Sequence, residues 1–312
     1  MKGFKNNLLL SFLFGSMLIS LNGCSFAFTT NYIYQNGEKY VAGDREITDK
    51  IENIDIDYMS GDVKLIASET NTVSIKETSK KQLDDKRKVH TWVDGNTLYV
   101  RYCESSKKLD LNNLEKNLEI TIPKDVKLTD TKIKASSGNV TCKGFEADKV
   151  NVYVSSGDIS ADFDTKDIKM HASSGDITLN QTGDSDDISV DTSSGDINAT
   201  MQDVTYLTSS ASSGNITLSA NKINDFSSRT SSGINEFHFA ETPENTNIHS
   251  SSGKVTIYLP ENADLTADLD SSADDVYYDL PFEKTSDSFI CGNGSNKMKV
   301  HTSSGDIYIK KN

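Results

Sequence analysis

The 312-residue sequence predicts an all-β protein: a β-solenoid, β-helix-like, with about 19 residues per coil, preceded by a β-rich N-terminal module. Two observations carry this. The tripeptide Ser-Ser-Gly recurs with its glycine at Gly138, Gly157, Gly175, Gly195, Gly214, Gly233, Gly253 and Gly305, and Gly61 is a diverged copy. From Gly138 to Gly253 the spacings are 19, 18, 20, 19, 19 and 20 residues, a period too short for a unit that buries its own apolar face. The second observation is alternation. Two residues after the glycines stand Val63, Val140, Ile159, Ile177, Ile197, Ile216, Val255 and Ile307, with only Asn235 breaking the column. Inward positions at minus seven, minus five and minus three, such as Ile168, Met170 and Ala172, continue the same period of two. Each repeat reads as strand, corner, strand.

The corner has a chemical reason. A sharp turn needs a residue at positive φ, which costs glycine nothing and a residue with a β-carbon roughly 1–2 kcal/mol. The aspartate or asparagine that follows (Asp158, Asp176, Asp196, Asp306, Asn139, Asn215) suits an Asx-type turn. Serines stacked about 4.8 Å apart suit a hydroxyl ladder, while a column of aspartates requires solvation, hydrogen bonds or a cation.

Residues 1–23 place Lys2 and Lys5 before an apolar run from Leu8 to Leu21, the layout of a signal peptide. The ending Leu21-Asn22-Gly23-Cys24 resembles a bacterial lipoprotein lipobox, which implies cleavage before Cys24 and lipidation, with palmitate among the acyl groups, of that residue. Residues 24–45 lack periodicity and read as a tether. Residues 46–130 form the N-terminal β-rich module. It holds Ile54-Asp55-Ile56, the corner at Gly61, and a hairpin in which Val89–Val93 and Thr97–Tyr102 flank Asp94-Gly95, with the single tryptophan, Trp92, packed beneath it. The run from Lys80 to Lys88 reads as a solvated charged loop.

Residues 131–312 form the solenoid repeat domain. Its rhythm falters at Gly233, where Ile234 takes the acidic position and the inward column is expected to shift. It falters again at Ser271-Ser272-Ala273, where Asp274-Asp275 adds a residue, as in a bulge. An insertion carrying Tyr277, Tyr278, Phe282 and Phe289 precedes the last repeat and is the expected contact surface, or else a lid on the solenoid's end. The final strand, ending Lys310-Lys311-Asn312, is expected to be an exposed edge protected by charge. About nine coils make a rod on the order of 40–45 Å long.

The repeated Ser-Ser-Gly-Asp-Ile, the strand-to-proline segments Leu118–Pro123 and Val255–Pro260, and Cys291-Gly292-Asn293-Gly294 resemble the bacterial "putative adhesin" β-strand-repeat family, a domain of unknown function. The resemblance covers most of residues 50–312. It implies the architecture and supplies no catalytic or ligand residues.

Charge narrows the function. The chain carries −14, and removal of residues 1–23, with two lysines and no acid, takes it to −16, which disfavours nucleic-acid partners. Cys103, Cys142 and Cys291 form neither a disulfide framework nor a zinc site by spacing, and Cys142 falls in an inward column. His171, His249 and His301 share an outward column, but regular stacking puts the nearest pair, His249 and His301, two coils or about 9–10 Å apart, too far to share an ion. One carboxylate per coil is too few for Ca²⁺. The four arginines and corner-bound serines supply no catalytic constellation. These features lead to an expectation of no metal, no cofactor and no enzyme activity. They describe a lipid-anchored extracytoplasmic module acting as an adhesin or envelope scaffold on a polymer or protein. The alternatives are an envelope-stress sensor or a cationic-peptide-capturing module and, behind these, a polysaccharide-acting β-helix enzyme.

Overall fold

The structure is a computed structural model that describes residues 30–312 apart from 110, 112–113, 272–275 and 287. Cys24 and the expected bulge at 272–275 lie outside the described residues.

Nearly every element is a strand, and the repeats stack in parallel and in register. On one sheet run Asn53–Ser60, Lys127–Ser137, the C-terminal halves of Val140–Ser156 and Ile159–Ser174, Ser185–Ser194, the C-terminal halves of Ile197–Ser213 and Ile216–Ser232, then Asn245–Ser252. A companion sheet, built from the residues after each corner, begins at Val63–Ser68 and continues through Val140, Ile159, Ile177, Ile197, Ile216, Asn235 and Val255. The two sheets meet along the glycine corners.

The inward columns fill the space between them. The position two after the glycine is buried at Val63, Val140, Ile159, Ile177, Ile197, Ile216, Asn235, Val255 and Ile307 alike. The column therefore does not shift at Gly233. Asn235 stays inside because Thr230 Oγ1 donates to its Oδ1, and Phe237 packs two residues on. Fully burying one aliphatic side chain of this size contributes roughly 1.5–3 kcal/mol, so the columns dominate the stability of each coil.

The corners are held by backbone bonds between coils: the amides of Gly157 and Gly175 donate to Ser174 and Ser194 carbonyls, each at 2.9 Å. Gly175 has φ of 144°, and a β-carbon there would overlap the carbonyl oxygen of Gly157 in the coil before. Glycine is thus required twice, by conformation and by the coil spacing.

The last repeat departs from sequence order. Asn296–Thr302 pairs with Asn245–Ser252 on one side and Leu265–Ser271 on the other, and Ile307–Lys311 lies between Val255–Leu259 and Val276–Tyr278. Residues 307–309 of the final strand are therefore interior to the sheet, while Lys310 and Lys311 pair on one side only and keep the charged edge expected of them. The Ser-Ser-Gly corner explains the insertion, since Gly305 nests on Gly253 as every other corner nests on its predecessor.

At the other end, Lys116–Pro123 continues the companion sheet beside Val63–Ser68, and Thr97–Arg101 continues the first sheet beside Asn53–Ser60. Antiparallel strands Val73–Ser79 and His90–Asp94 finish both. Part of the expected tether is folded here: Thr30–Tyr32 pairs with Ser106–Leu109, and Val41–Ala42 with His90–Asp94. The hairpin forms as expected, with Asp94 paired to Thr97. Trp92 lies on the hairpin's outer face, stacked on Tyr99 with centroids 5.3 Å apart.

Candidate functional site

The outward faces are the surfaces available for chemistry. Along the corner, a ladder of side-chain oxygens runs from coil to coil. Asn117 Oδ1 accepts the amide of Asp62, Asp62 that of Asn139, Asn139 that of Asp158, and Asp158 that of Asp176. Asp176 then accepts the amide of Asp196, Asp196 that of Asn215, and Asn215 that of Ile234, over distances of 2.7–3.0 Å throughout. This replaces the expected serine ladder: the corner serines take part through backbone carbonyls. Each acid keeps its charge tolerable by accepting an N–H from the next coil, and Asp196 Oδ2 takes a further one from the Asn215 side chain.

The histidine column lies on the first sheet's outer face. Because the last repeat is inserted, His249 and His301 occupy adjacent coils, with ring centroids 5.0 Å apart and planes 11° from parallel. This corrects the expected two-coil separation. Among the described residues, no three His, Cys, Asp or Glu side chains are grouped to hold a metal ion. Arg229, next in register to His249, adds a repelling cation.

Two Ser–His–Asp trios occur in this column. Asp270 Oδ2 lies 2.8 Å from His301 Nδ1 and Ser303 Oγ 3.4 Å from its Nε2; Asp191, His171 and Ser173 repeat this at 2.6 and 3.4 Å. The serine distances exceed those of a working nucleophile–base pair, and Asp270 is 66% exposed on an open sheet. The trios follow from the repeat itself. Histidine and the serine two residues on share one strand face, and the aspartate stands beside the histidine on the next strand.

A groove of about 720 Å³ lies on this face across five strands. Tyr206, Asp225, Asn245, Lys297 and Thr266 form one row, and Thr208, Ser227, Asn247, Lys299 and Asp268 the next. Tyr206 is 55% exposed. Ser288 and Gly294, from the insertion, wall one end. Sequence reading passed over this site because its outward members are common polar residues alternating with the core residues Leu207, Phe226 and Met298, and only the inserted repeat brings Lys297 and Lys299 beside Asn245 and Asn247.

The expected contact residues divide into two sets. Phe289 is buried and meets Phe282 and Tyr278 edge-on, so these rings close the end of the core beside Leu280. Tyr277 and Tyr278 are 47% and 41% exposed, and Tyr277 stacks on Tyr308 at 4.8 Å. The loop Cys291–Ser295 is pinned by Asp264, which accepts from the amide and hydroxyl of Ser295; these bonds hold its carboxyl below the usual range.

The opposite end holds a buried ion pair, Lys116 Nζ to Glu77 Oε1 at 2.8 Å. Tyr58 and the Val89 amide donate to Glu77, while Lys116 also donates to the carbonyls of Arg87 and Tyr102 and sits 4.1 Å from the Tyr102 ring centroid. Burial pushes Lys116 below the ordinary lysine range, opposed by Glu77. Strand parity carried the signal: Lys116 shares a face with Leu118 and Ile120, and Glu77 with Val73 and Ile75. The three described cysteines are free and buried, with Cys142 pushed up to about 12 and Cys103 to about 11 by burial.

Parallel coils, nested glycine corners and polar outer faces define the class: a β-solenoid. Residues 51–310 match the Toastrack DUF4097 family, and the chain belongs to it. The solved structures it is similar to include proteins described as "putative adhesin" from Parabacteroides merdae and Bacteroides fragilis. For the one from Parabacteroides merdae the identity is 12%, with 87% of this chain and 96% of that one covered and a TM-score of 0.49. For the one from Bacteroides fragilis the figures are 14%, 88%, 98% and 0.41. It is also similar to a "putative lipid binding protein" from Parabacteroides distasonis, at 17% identity, 86% and 96% coverage and a TM-score of 0.47. No curated protein matches the chain.

Proposed function

We propose that this chain is a non-enzymatic, lipid-anchored scaffold outside the cytoplasmic membrane, which binds an extended envelope polymer or protein along its first sheet. The groove at Tyr206 carries the reading. It is open at its surface, runs across the strands, and presents hydroxyls, amides and both charge signs at the strand spacing, which suits a ligand with a regular backbone. Anchoring rests on Leu21-Asn22-Gly23-Cys24. Binding of isolated envelope polymers to the mature chain tests it. Tyr206→Ala and Asn247→Ala together should weaken binding at least tenfold without lowering the melting temperature; unchanged affinity would sink the groove as the site. Cell fractionation tests the anchor separately, since Cys24→Ala should move the protein from membrane to soluble fraction.

The corner ladder supports a second reading, capture of cationic peptides, because Asp62, Asp158, Asp176 and Asp196 form an acidic line in a chain of net charge −16 without residues 1–23. Such binding would collapse between low and high salt. Polymer binding in the groove would persist.

A further inference from the structure

We propose that the N-terminal end of the stack is itself a membrane-contact surface, which lies on a phospholipid bilayer once the chain is anchored. The inference rests on the reading of Cys24 as the anchored residue and adds the face of the protein that meets the lipid.

Four observations converge on this end. Two of the three most exposed large hydrophobic side chains among the described residues, Ile33 at 63% and Val41 at 53%, fall within the first twelve described positions. Beside them runs a line of half-buried aromatics: Tyr34 to Tyr40 at 6.0 Å, Tyr40 to Trp92 at 5.6 Å, and Trp92 to Tyr99 at 5.3 Å. Lys39 lies 4.9 Å from the Trp92 ring centroid and Arg101 5.7 Å from that of Tyr34. Tryptophan and tyrosine with a cation nearby are the side chains that favour the headgroup layer.

The third observation is charge. The loop from Lys80 to Lys88 is tied to the same end, since Gly43 donates to the Val89 carbonyl, Glu104 to that of Lys86, and the Tyr34 amide to Ser105 Oγ. In that loop Arg87 and Lys88 pair with Asp84 and Asp85, and Lys86 lies 3.8 Å from Glu104. Lys80 and Lys81 are exposed, and neither has an ion pair among the described residues. An otherwise acidic molecule thus turns a basic corner toward its own N-terminus, the sign that anionic headgroups attract.

The fourth is reach. Only five residues lie between Cys24 and Thr30, where the first strand begins, so six Cα-to-Cα steps join the two. Fully extended they span at most about 20 Å. An anchored chain cannot lift this end far from the headgroups, whereas the rod's far end can swing clear. The exposed Ile33 and Val41 with Lys80 and Lys81 add apolar and electrostatic contacts to those of the acyl anchor.

The single tryptophan makes the test direct. The mature chain with Cys24→Ser is tethered to phosphatidylcholine–phosphatidylglycerol vesicles through nickel-chelating lipid, by a histidine tag at either its N- or its C-terminus. Brominated lipid in the same vesicles quenches any tryptophan that reaches the interface. Quenching of Trp92 is expected to be at least twofold stronger with the N-terminal tag. It should fall back in Ile33→Asp with Val41→Asp, and in Lys80→Glu with Lys81→Glu, variants on exposed positions whose melting should match the parent chain. Equal quenching from both tethers, none from the N-terminal one, or quenching untouched by the apolar variants would overturn the proposal. Mass spectrometry of the protein from cells, read for acyl groups on Cys24, judges the anchor alone, so either idea can fail without the other.

Discussion

At Asp176, a single carboxylate shows how the repeat enforces its own chemistry. Its Oδ1 takes the amide of Asp196 at 2.7 Å while its own amide goes to Asp158. What the position requires is a short side chain ending in an acceptor. Asn139 and Asn215 meet that requirement as well as the acids do. Asp176→Asn should therefore leave the melting temperature unchanged, whereas Asp176→Ala should cost about 1 kcal/mol, the value of one such bond. Equal losses from both would mean charge, not acceptance, governs the column. Gly175→Val faces both positive φ and the Gly157 carbonyl, and should cost roughly 3 kcal/mol or more by thermal melting. Asn235 tests the core: it interrupts an aliphatic column, and its buried Nδ2 has no partner among the described atoms. Replacing it and its partner together, Asn235→Val with Thr230→Val, should stabilise the chain by about 1–2 kcal/mol. Thr230→Val alone should destabilise it, because the Asn235 amide is then left wholly unsatisfied.

At the scale of elements, the strand Asn296–Thr302 reverses what chain order suggests. The last repeat in sequence is the last but one in space, gripped on both sides, while Leu265–Ser271 and Val276–Tyr278 form the terminal coil. Hydrogen exchange should find the amides of Met298–Thr302 more protected than those of Asp268–Ser271, the half of that strand left without a second partner by the antiparallel strand Phe289–Cys291. The reverse order would refute the insertion. The loop that makes it possible is pinned by Asp264, whose carboxyl titrates below the usual range because Ser295 donates to it. A carboxylate depressed in the fold stabilises above its unfolded pKa, about 3.9. That contribution is lost as pH falls through the lower, folded value. The stability gap between the parent chain and Asp264→Asn should thus be present at pH 7 and shrink below about pH 4. The period of the glycines made the coils legible in the sequence, and strand alternation made the inward columns legible, down to the cysteine at 142. Neighbour order was not, because every Ser-Ser-Gly corner fits every other, so the rhythm cannot say which pairs nest. The groove was hidden for the same reason, and so was the contact of His249 with His301.

For the whole molecule, the question is whether residues 46–130 and 131–312 behave as separate bodies. The corner at Gly61 nests under Gly138, and Asn53–Ser60 pairs residue for residue with Lys127–Ser137, itself paired on its other side to Val140–Ser156. Ile54, Ile56 and Tyr58 share their inward columns with Thr131, Ile133 and Ala135. In such a stack each coil is stabilised by its neighbours, and a boundary exists only where an interface is weak. Lys127–Ser137 pairs without a register shift on both sides, and the hairpins at the N-terminal end protect sheet edges that would otherwise be open. The Glu77–Lys116 pair closes that end from within, so Lys116→Met should leave a buried carboxylate unpaired and cost about 3–5 kcal/mol. If the stack is one cooperative body, this loss appears as a lower midpoint for the entire unfolding curve, including the signal from the distant repeats. A chain beginning at residue 131 should then fail to fold, since it lacks both its neighbour coil and its cap. Two separate transitions, with only the first moved by Lys116→Met, would instead divide the molecule at the Gly61–Gly138 interface.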